Sequence, residues 1–186
     1  MSFLSALTLL VHLCGCYLAA EPQNQCTNGG FEQLDADGNL VDWTPVGAPP
    51  NTKIKSTGLA HSGKLAVEIQ RLIPEAKQLS GLNRAYRPRS GEAGAMLQTK
   101  KGALSFWYQA VSDENAAFHF YAIPMDKDGI EKTGEPRETY KVPVFHLNDG
   151  EWHQGIVLFD WTEKEKVKWV QIAPRIRGGR GTWILD

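Results

Sequence analysis

From residue 21 onward the chain repeats one pattern: a short run of β-branched and aromatic residues, then a turn signal. The runs fall at 64–70, 103–111, 117–123, 139–145, 152–161, 167–176 and 182–185. They are rich in Val, Ile, Phe, Tyr and Trp, side chains that pack well on a pleated, half-buried surface. Between them stand Asp37-Gly38, Asp128-Gly129, Asn148-Asp149-Gly150 and Gly178-Gly179. Gly takes positive φ without steric cost and Asp tolerates it, so these pairs favour tight reversals. Helical periodicity is nearly absent. Many short strands joined in this way predict an all-β domain, a sandwich or a barrel. Residues 72–94 break the pattern and read as a long loop, with one helical turn at 74–79.

Alternation assigns faces. In the run at 103–111, Leu104, Phe106, Tyr108 and Ala110 share one side and read as core. Ser105, Trp107 and Gln109 lie opposite. Phe118, Phe120 and Ala122 read as core in the next run, with His119 and Tyr121 outward. Val170, Ile172 and Ile176 read as core in the run at 167–176, leaving Trp169, Gln171 and Arg175 outward.

The chain has 186 residues and a formal net charge of -1, from 20 basic and 21 acidic side chains. One domain with a single core fits that length. Such a balance creates no global field to gather nucleic acid or an anionic membrane.

Residues 3–20 are almost wholly apolar and end abruptly at Glu21-Pro22-Gln23. This reads as a secretory leader, with a transmembrane anchor as the competing reading. Neither has a Lys or Arg ahead of the run. Leu13-Cys14-Gly15-Cys16 has the form of a lipobox, which would place a lipid on Cys16; cleavage near Ala19 or Ala20 would release a soluble protein. Both remain open. The expected place is secreted, periplasmic or cell-surface. Of 3 Cys, only Cys26 lies beyond the leader, so no internal disulfide supports the domain.

Several landmarks then occur in order. They are Asn28-Gly29-Gly30-Phe31-Glu32, Asp37-Gly38, Trp43 with Pro45, Ala60-His61-Ser62-Gly63-Lys64-Leu65-Ala66-Val67, Leu104-Ser105-Phe106-Trp107-Tyr108, Gly150-Glu151-Trp152 and Gly181-Thr182-Trp183-Ile184-Leu185-Asp186. Together they resemble galactose-binding-like carbohydrate-binding modules, the jelly-roll β-sandwiches attached to many xylanases and cellulases. The resemblance spans nearly all of 21–186 and implies an antiparallel β-sandwich that binds a polysaccharide or glycan. It also implies a structural calcium held by Glu32, the backbone oxygen of Lys64, and Asp186. Members of that family usually continue past the terminal Leu-Asp. A chain stopping at Asp186 is either shortened in its last strand or a fragment of a longer protein.

The outward residues suggest a sugar platform: Trp107, Tyr121 and Trp169 to stack on the apolar faces of sugar rings, with Gln109, His119, Gln171 and Arg175 for the hydroxyls. The competing reading packs Trp107 and Trp169 under the loop at 72–94, which carries Arg84, Tyr86, Arg87 and Arg89. The acidic stretches at 35–42 and 126–131 place Gly fourth, where a calcium-binding EF-hand loop needs it sixth, and read as hairpin turns. No G-x-S-x-G, H-E-x-x-H or Walker pattern is present, so catalysis has little support. A sandwich module without a sugar site, serving structure or adhesion, and a small exported hydrolase or lyase are the alternatives.

Overall fold

A computed structural model describes residues 26, 28–47, 50–74, 79–84, 97, 99–112, 116–126 and 133–186. The described residues form ten strands: β1 Trp43–Val46, β2 Thr52–Thr57, β3 Ala66–Arg71, β4 Ser80–Arg84, β5 Lys101–Ser112, β6 Ala116–Met125, β7 Glu138–Lys141, β8 His153–Asp160, β9 Trp169–Gly178 and β10 Gly181–Leu185. They pair antiparallel in two five-stranded sheets, ordered β1-β4-β9-β6-β7 and β2-β3-β10-β5-β8. This is the expected all-β sandwich of jelly-roll kind. No described helix is long and apolar enough to cross a membrane, and the apolar leader lies outside the described residues.

The core lies between the sheets and follows the alternation. Leu104, Phe106, Tyr108 and Ala110 of β5 face Phe118, Phe120 and Ala122 of β6, and all are buried. Phe106 and Phe120 stack across the gap, with centroids 3.8 Å apart and planes 10° from parallel. Trp183 of β10 is fully buried, edge-on to Phe106, Tyr108, Phe118 and Phe120. Each such side chain contributes about 1.5–3 kcal/mol through burial. Arg71 braces the two layers, its Nε donating to the carbonyl of Gly178 at 2.9 Å.

Three strands escape a reading of apolar runs. β4 falls inside the stretch predicted as loop, and only its middle residue, Leu82, is a large apolar side chain. It is a strand because Gly81 lets it close on β9: a Cβ there would collide with the carbonyl of Pro174 and lie 3.1 Å from Arg175 Cα. Ser80 Oγ also meets Thr52 Oγ1 at 2.6 Å, tying β4 to β2 in the other sheet. β1 and β2 are edge strands, and Lys53 and Lys55 keep β2 in water, as exposed sheet edges require. The run predicted at 139–145 ends early. Pro143 cannot extend the ladder, and Val144–His146 form a 3₁₀ turn instead.

The turn readings at 35–42 and 148–150 agree with the structure. Gly38 has φ 80° and the Asp35 carboxylate accepts the Asp37 and Asn39 N–H groups, closing a reversal. Asn148 and Gly150 both take positive φ. The turn predicted at Asp128-Gly129, the helical turn predicted at 74–79 apart from its two ends, and Tyr86, Arg87 and Arg89 lie outside the described residues. Cys26 is half-buried against the main core.

Candidate functional site

The seven residues read as one platform divide between opposite sides of the molecule. Trp107 and Gln109 project from β5, on the outer face of β2-β3-β10-β5-β8. His119 and Tyr121 project from β6, and Trp169, Gln171 and Arg175 from β9, on the outer face of the other sheet. The physical reason is that β5 and β6 are neighbours in sequence but belong to different layers. Their outward side chains therefore point apart.

On the β6–β9 face the register sets Met125 beside Trp169, Ile123 beside Gln171, Tyr121 beside Ala173 and His119 beside Arg175. At roughly 3.4 Å per residue, the strip from Trp169 to Arg177 is about 27 Å long. Its middle is covered: Tyr121, Ile123, Met125 and Ala173 are buried in a small second core, with Trp169 packed against it. Trp169, Gln171, His119 and Arg177 remain partly exposed. Tyr121, at 3% exposure, presents no open face. Arg137 covers its ring at 4.5 Å and Arg177 lies 5.9 Å from the same centroid. Its hydroxyl meets His119 Nδ1 at 2.9 Å.

Arg175 is likewise taken up by the fold. Its Nη1 donates to the carbonyls of Leu82 and, at 2.8 Å, Pro174, pinning β4 to β9. Burial, the largest influence, draws its pKa down to about 10, while Tyr121 pulls the other way. The His119 imidazole is also held low. Burial is the main cause, followed by the positive charges of Arg177, Lys141 and Arg137. A proton on His119 would have to join three cations.

On the opposite face Trp107 is partly exposed, and His61 lies flat on it, with centroids 3.8 Å apart and planes at 9°. Trp152 also meets His61, with ring centroids 5.6 Å apart in an edge-on arrangement. Gln109 Nε2 donates to the carbonyl of Gly150 and Gln154 Nε2 to Ser105 Oγ. Farther along β8, Ile156 and Leu158 are 49% and 69% exposed. Two carboxylates of this face are ion-paired: Glu68 with Lys55 at 3.2 Å and Asp160 with Lys101 at 2.7 Å.

Glu32 and Asp186 reach the same turn at different residues, and Lys64 meets Glu32 through its N–H, not the backbone oxygen expected to bind calcium. Glu32 Oε1 accepts the N–H groups of Lys64 at 2.7 Å and Leu65 at 3.1 Å. Asp186 Oδ2 accepts the N–H of Ser62 at 2.5 Å and its hydroxyl at 3.2 Å. Two carboxylates from distant parts of the chain thus hold one turn, at whose centre Gly63 has φ 69°. The backbone N–H bonds keep the Glu32 carboxyl below the usual range. Hard oxygen donors on one turn fit calcium in kind. They number two side chains where a calcium shell takes six to eight oxygens, the remainder coming from carbonyls or water. Among the described residues no group of three or more His, Cys, Asp or Glu is placed to hold a metal ion.

A polar chain at one end of the sandwich has no single-sequence signal. Tyr108 Oη meets Tyr140 Oη at 2.9 Å and His146 Nδ1 at 2.7 Å. His146 stacks on His153 at 3.7 Å, and His153 Nε2 meets Asp149 Oδ2 at 2.8 Å. The histidines lie seven residues apart, on a 3₁₀ turn and a strand, so no motif spacing connects them. A cavity of about 270 Å³ lies elsewhere, walled by Phe31, Trp43, Phe106 and Ile172 with Ser62 and Asp186 at its rim.

No family model matches the sequence, and no curated protein does. Solved structures match in shape. A family 61 carbohydrate-binding module, determined with β-1,4-galactotriose, superposes with TM-score 0.52 at 16% identity, covering 89% of this chain and 99% of that one. The chain has the β-sandwich fold of carbohydrate-binding modules. A second structure, from work on the promiscuous specificity of such modules, gives 0.53 at 14% identity over 83% of this chain and 59% of that one. A Stig cyclase from Fischerella sp. TAU, determined with an indole ligand, gives 0.54 at 10% identity over 87% and 92%. The carbohydrate-binding-module fold thus also carries a cyclase, and function has to be argued from the site.

Proposed function

We propose that this protein is a non-catalytic glycan-binding module, and that the glycan lies on the outer face of β6 and β9. The observation that carries this reading is the line of Trp169, Gln171 and His119, all partly exposed on one outward strip of a rigid sheet. An indole edge can pack on the apolar face of a sugar ring, and the amide and imidazole offer donors and acceptors to its hydroxyls. The strands β6, β7 and β9 carry one carboxylate between them, the exposed Glu138, which speaks against a glycosidase, since that chemistry takes two.

Export belongs to the same reading and rests on the apolar run at 3–20, with the protein either free or tethered at Cys16. So does a structural calcium at the turn held by Glu32 and Asp186, supported by the two carboxylates converging there. A melting temperature unchanged by chelator would remove the calcium from the proposal.

The test is affinity electrophoresis of the protein through gels containing galactan, xylan or mixed-linkage glucan. Retardation by at least one polymer is expected. Trp169→Ala or Gln171→Ala should weaken it about tenfold, the loss of a contact worth ~1.4 kcal/mol, while Trp107→Ala leaves it intact. No retardation by any polysaccharide would overturn the proposal. A second reading, a structural or adhesion module, is favoured by the exposed Ile156 and Leu158 on edge strand β8. It predicts self-association that Leu158→Lys abolishes.

A further inference from the structure

The cations of the molecule are unevenly matched on its two faces. On the β5–β8 side the outward Lys55 and Lys101 each have a carboxylate within 4 Å, and among the described residues only Lys53 lacks one. On the β6–β9 side, Arg137 precedes β7, Lys141 is its last residue and Arg177 is the last but one of β9. Among the described residues none of the three has a carboxylate in salt-bridge range. The outward positions of the neighbouring strands are Ala117, His119, Tyr121, Thr139, Ala173 and Arg175, and the one carboxylate of these strands, Glu138 on β7, forms no ion pair with the three cations. Arg137 and Arg177 both approach the Tyr121 ring, at 4.5 and 5.9 Å, which puts the two guanidinium carbons within about 10 Å of each other. The His119 imidazole is held low chiefly by burial, and Arg177, Lys141 and Arg137 add to that effect. Arg137 and Lys141 are exposed and Arg177 partly so, so their charged ends are open to a ligand.

Like charges held together at an accessible surface repel one another, and an anion relieves that cost. Guanidinium groups favour carboxylates in particular, because the planar fork matches two oxygens at once. We propose that the ligand of this face is an acidic glycan, whose uronate carboxylate is taken by Arg137 and Arg177 with Lys141 beside them. The inference rests on the glycan-binding reading and specifies the sugar class. The Trp169 end of the strip would take an adjoining neutral part of the chain.

The experiment compares oligogalacturonate with its methyl ester, which keeps the backbone and removes the charge, by titration calorimetry at low and at 0.5 M salt. The acid form should bind at least tenfold tighter than the ester at low salt, with most of that preference lost at high salt. Arg137→Gln, Arg177→Gln and Lys141→Gln should each reduce the preference several-fold with the ester's affinity unchanged. Lys53→Gln, on the opposite side, should have no effect. Because Arg137 and Lys141 are exposed, thermal melting of their variants should match the parent. Equal affinity for acid and ester overturns the uronate site and leaves the glycan reading standing. Failure of both oligomers and of all neutral polysaccharides overturns both. Binding of dextran sulfate or duplex DNA with indifference to oligogalacturonate also overturns the site, since it marks a surface that takes any polyanion.

Discussion

Arg137 lies over the ring of Tyr121 with its guanidinium carbon 4.5 Å from the centroid. The ring is therefore a seat for a cation, and the side chain that solvent meets is the arginine. An aromatic residue on an outward strand position has become the underside of a charged surface, and cation–π attraction holds the two together.

That charge should be visible in the titration of His119. Its imidazole should titrate below the usual value of about 6.5, chiefly from burial and then from Arg177, Lys141 and Arg137. Arg177→Gln and Arg137→Gln should each raise it, measured by ¹H–¹⁵N NMR. No rise in either variant would contradict the arrangement.

A histidine whose folded-state pKa is depressed contributes stability that is present above its unfolded value and lost as the pH falls through it. His119 and His146 are both held low, His146 mainly by burial and then by the stacked His153. The melting temperature should fall between pH 7 and 5, and His146→Gln should flatten the slope. A flat profile in the parent protein would count against both.

Glu32→Gln should lower the melting temperature at pH 7, because a neutral amide accepts the Lys64 and Leu65 N–H groups less strongly than a carboxylate. The Glu32 pKa is depressed, so its contribution is present above about pH 4 and lost as the carboxylate protonates. The gap between parent and variant should close below that pH. A gap that persists into strong acid would mean that the substitution acts through packing.

Gly81→Ala should destabilise the fold by about 1–3 kcal/mol in urea unfolding, since the new methyl meets the carbonyl of Pro174 across the β4–β9 pair. It should also loosen the Arg175 bond to Leu82. A neutral result would show that β4 can retreat without loss.

His61→Ala should uncover Trp107 and raise its quenching by acrylamide, with a stability loss of at most about 1 kcal/mol for an exposed aromatic pair. Glycan binding on the other face should not change. A parallel loss of binding would move the site to this side.

Much of the sandwich was legible because alternation is local. Phe106, Phe120 and Ile172 declare their inward direction from their immediate neighbours, and all three lie in the core. Which sheet a strand joins is decided far away in sequence. Trp107 and Tyr121 both read as outward, and both project outward, yet from opposite layers. No pattern within either run shows that β5 pairs with β8 and β10 while β6 pairs with β7 and β9. β4 was hidden for a related reason. Its cause is the fit of Gly81 against a strand almost a hundred residues later, not a run of apolar side chains. The turn held by Glu32 and Asp186 was foreshadowed only by family resemblance, whereas the Arg137–Tyr121 contact had no signal at all.

The position of β10 has a consequence for how the protein is made. This strand lies between β3 and β5 and pairs with both over Gly181–Leu185. Until Leu185 has left the ribosome, β2-β3 and β5-β8 are two separate ribbons with facing unsatisfied edges. The sheet closes only when β10, which follows both ribbons in the chain, slides between them, and Trp183 then fills the centre of the core in the same event. Nascent chains paused before that point would expose two sticky edges at once, so folding should be cooperative and should wait on the emergence of β10.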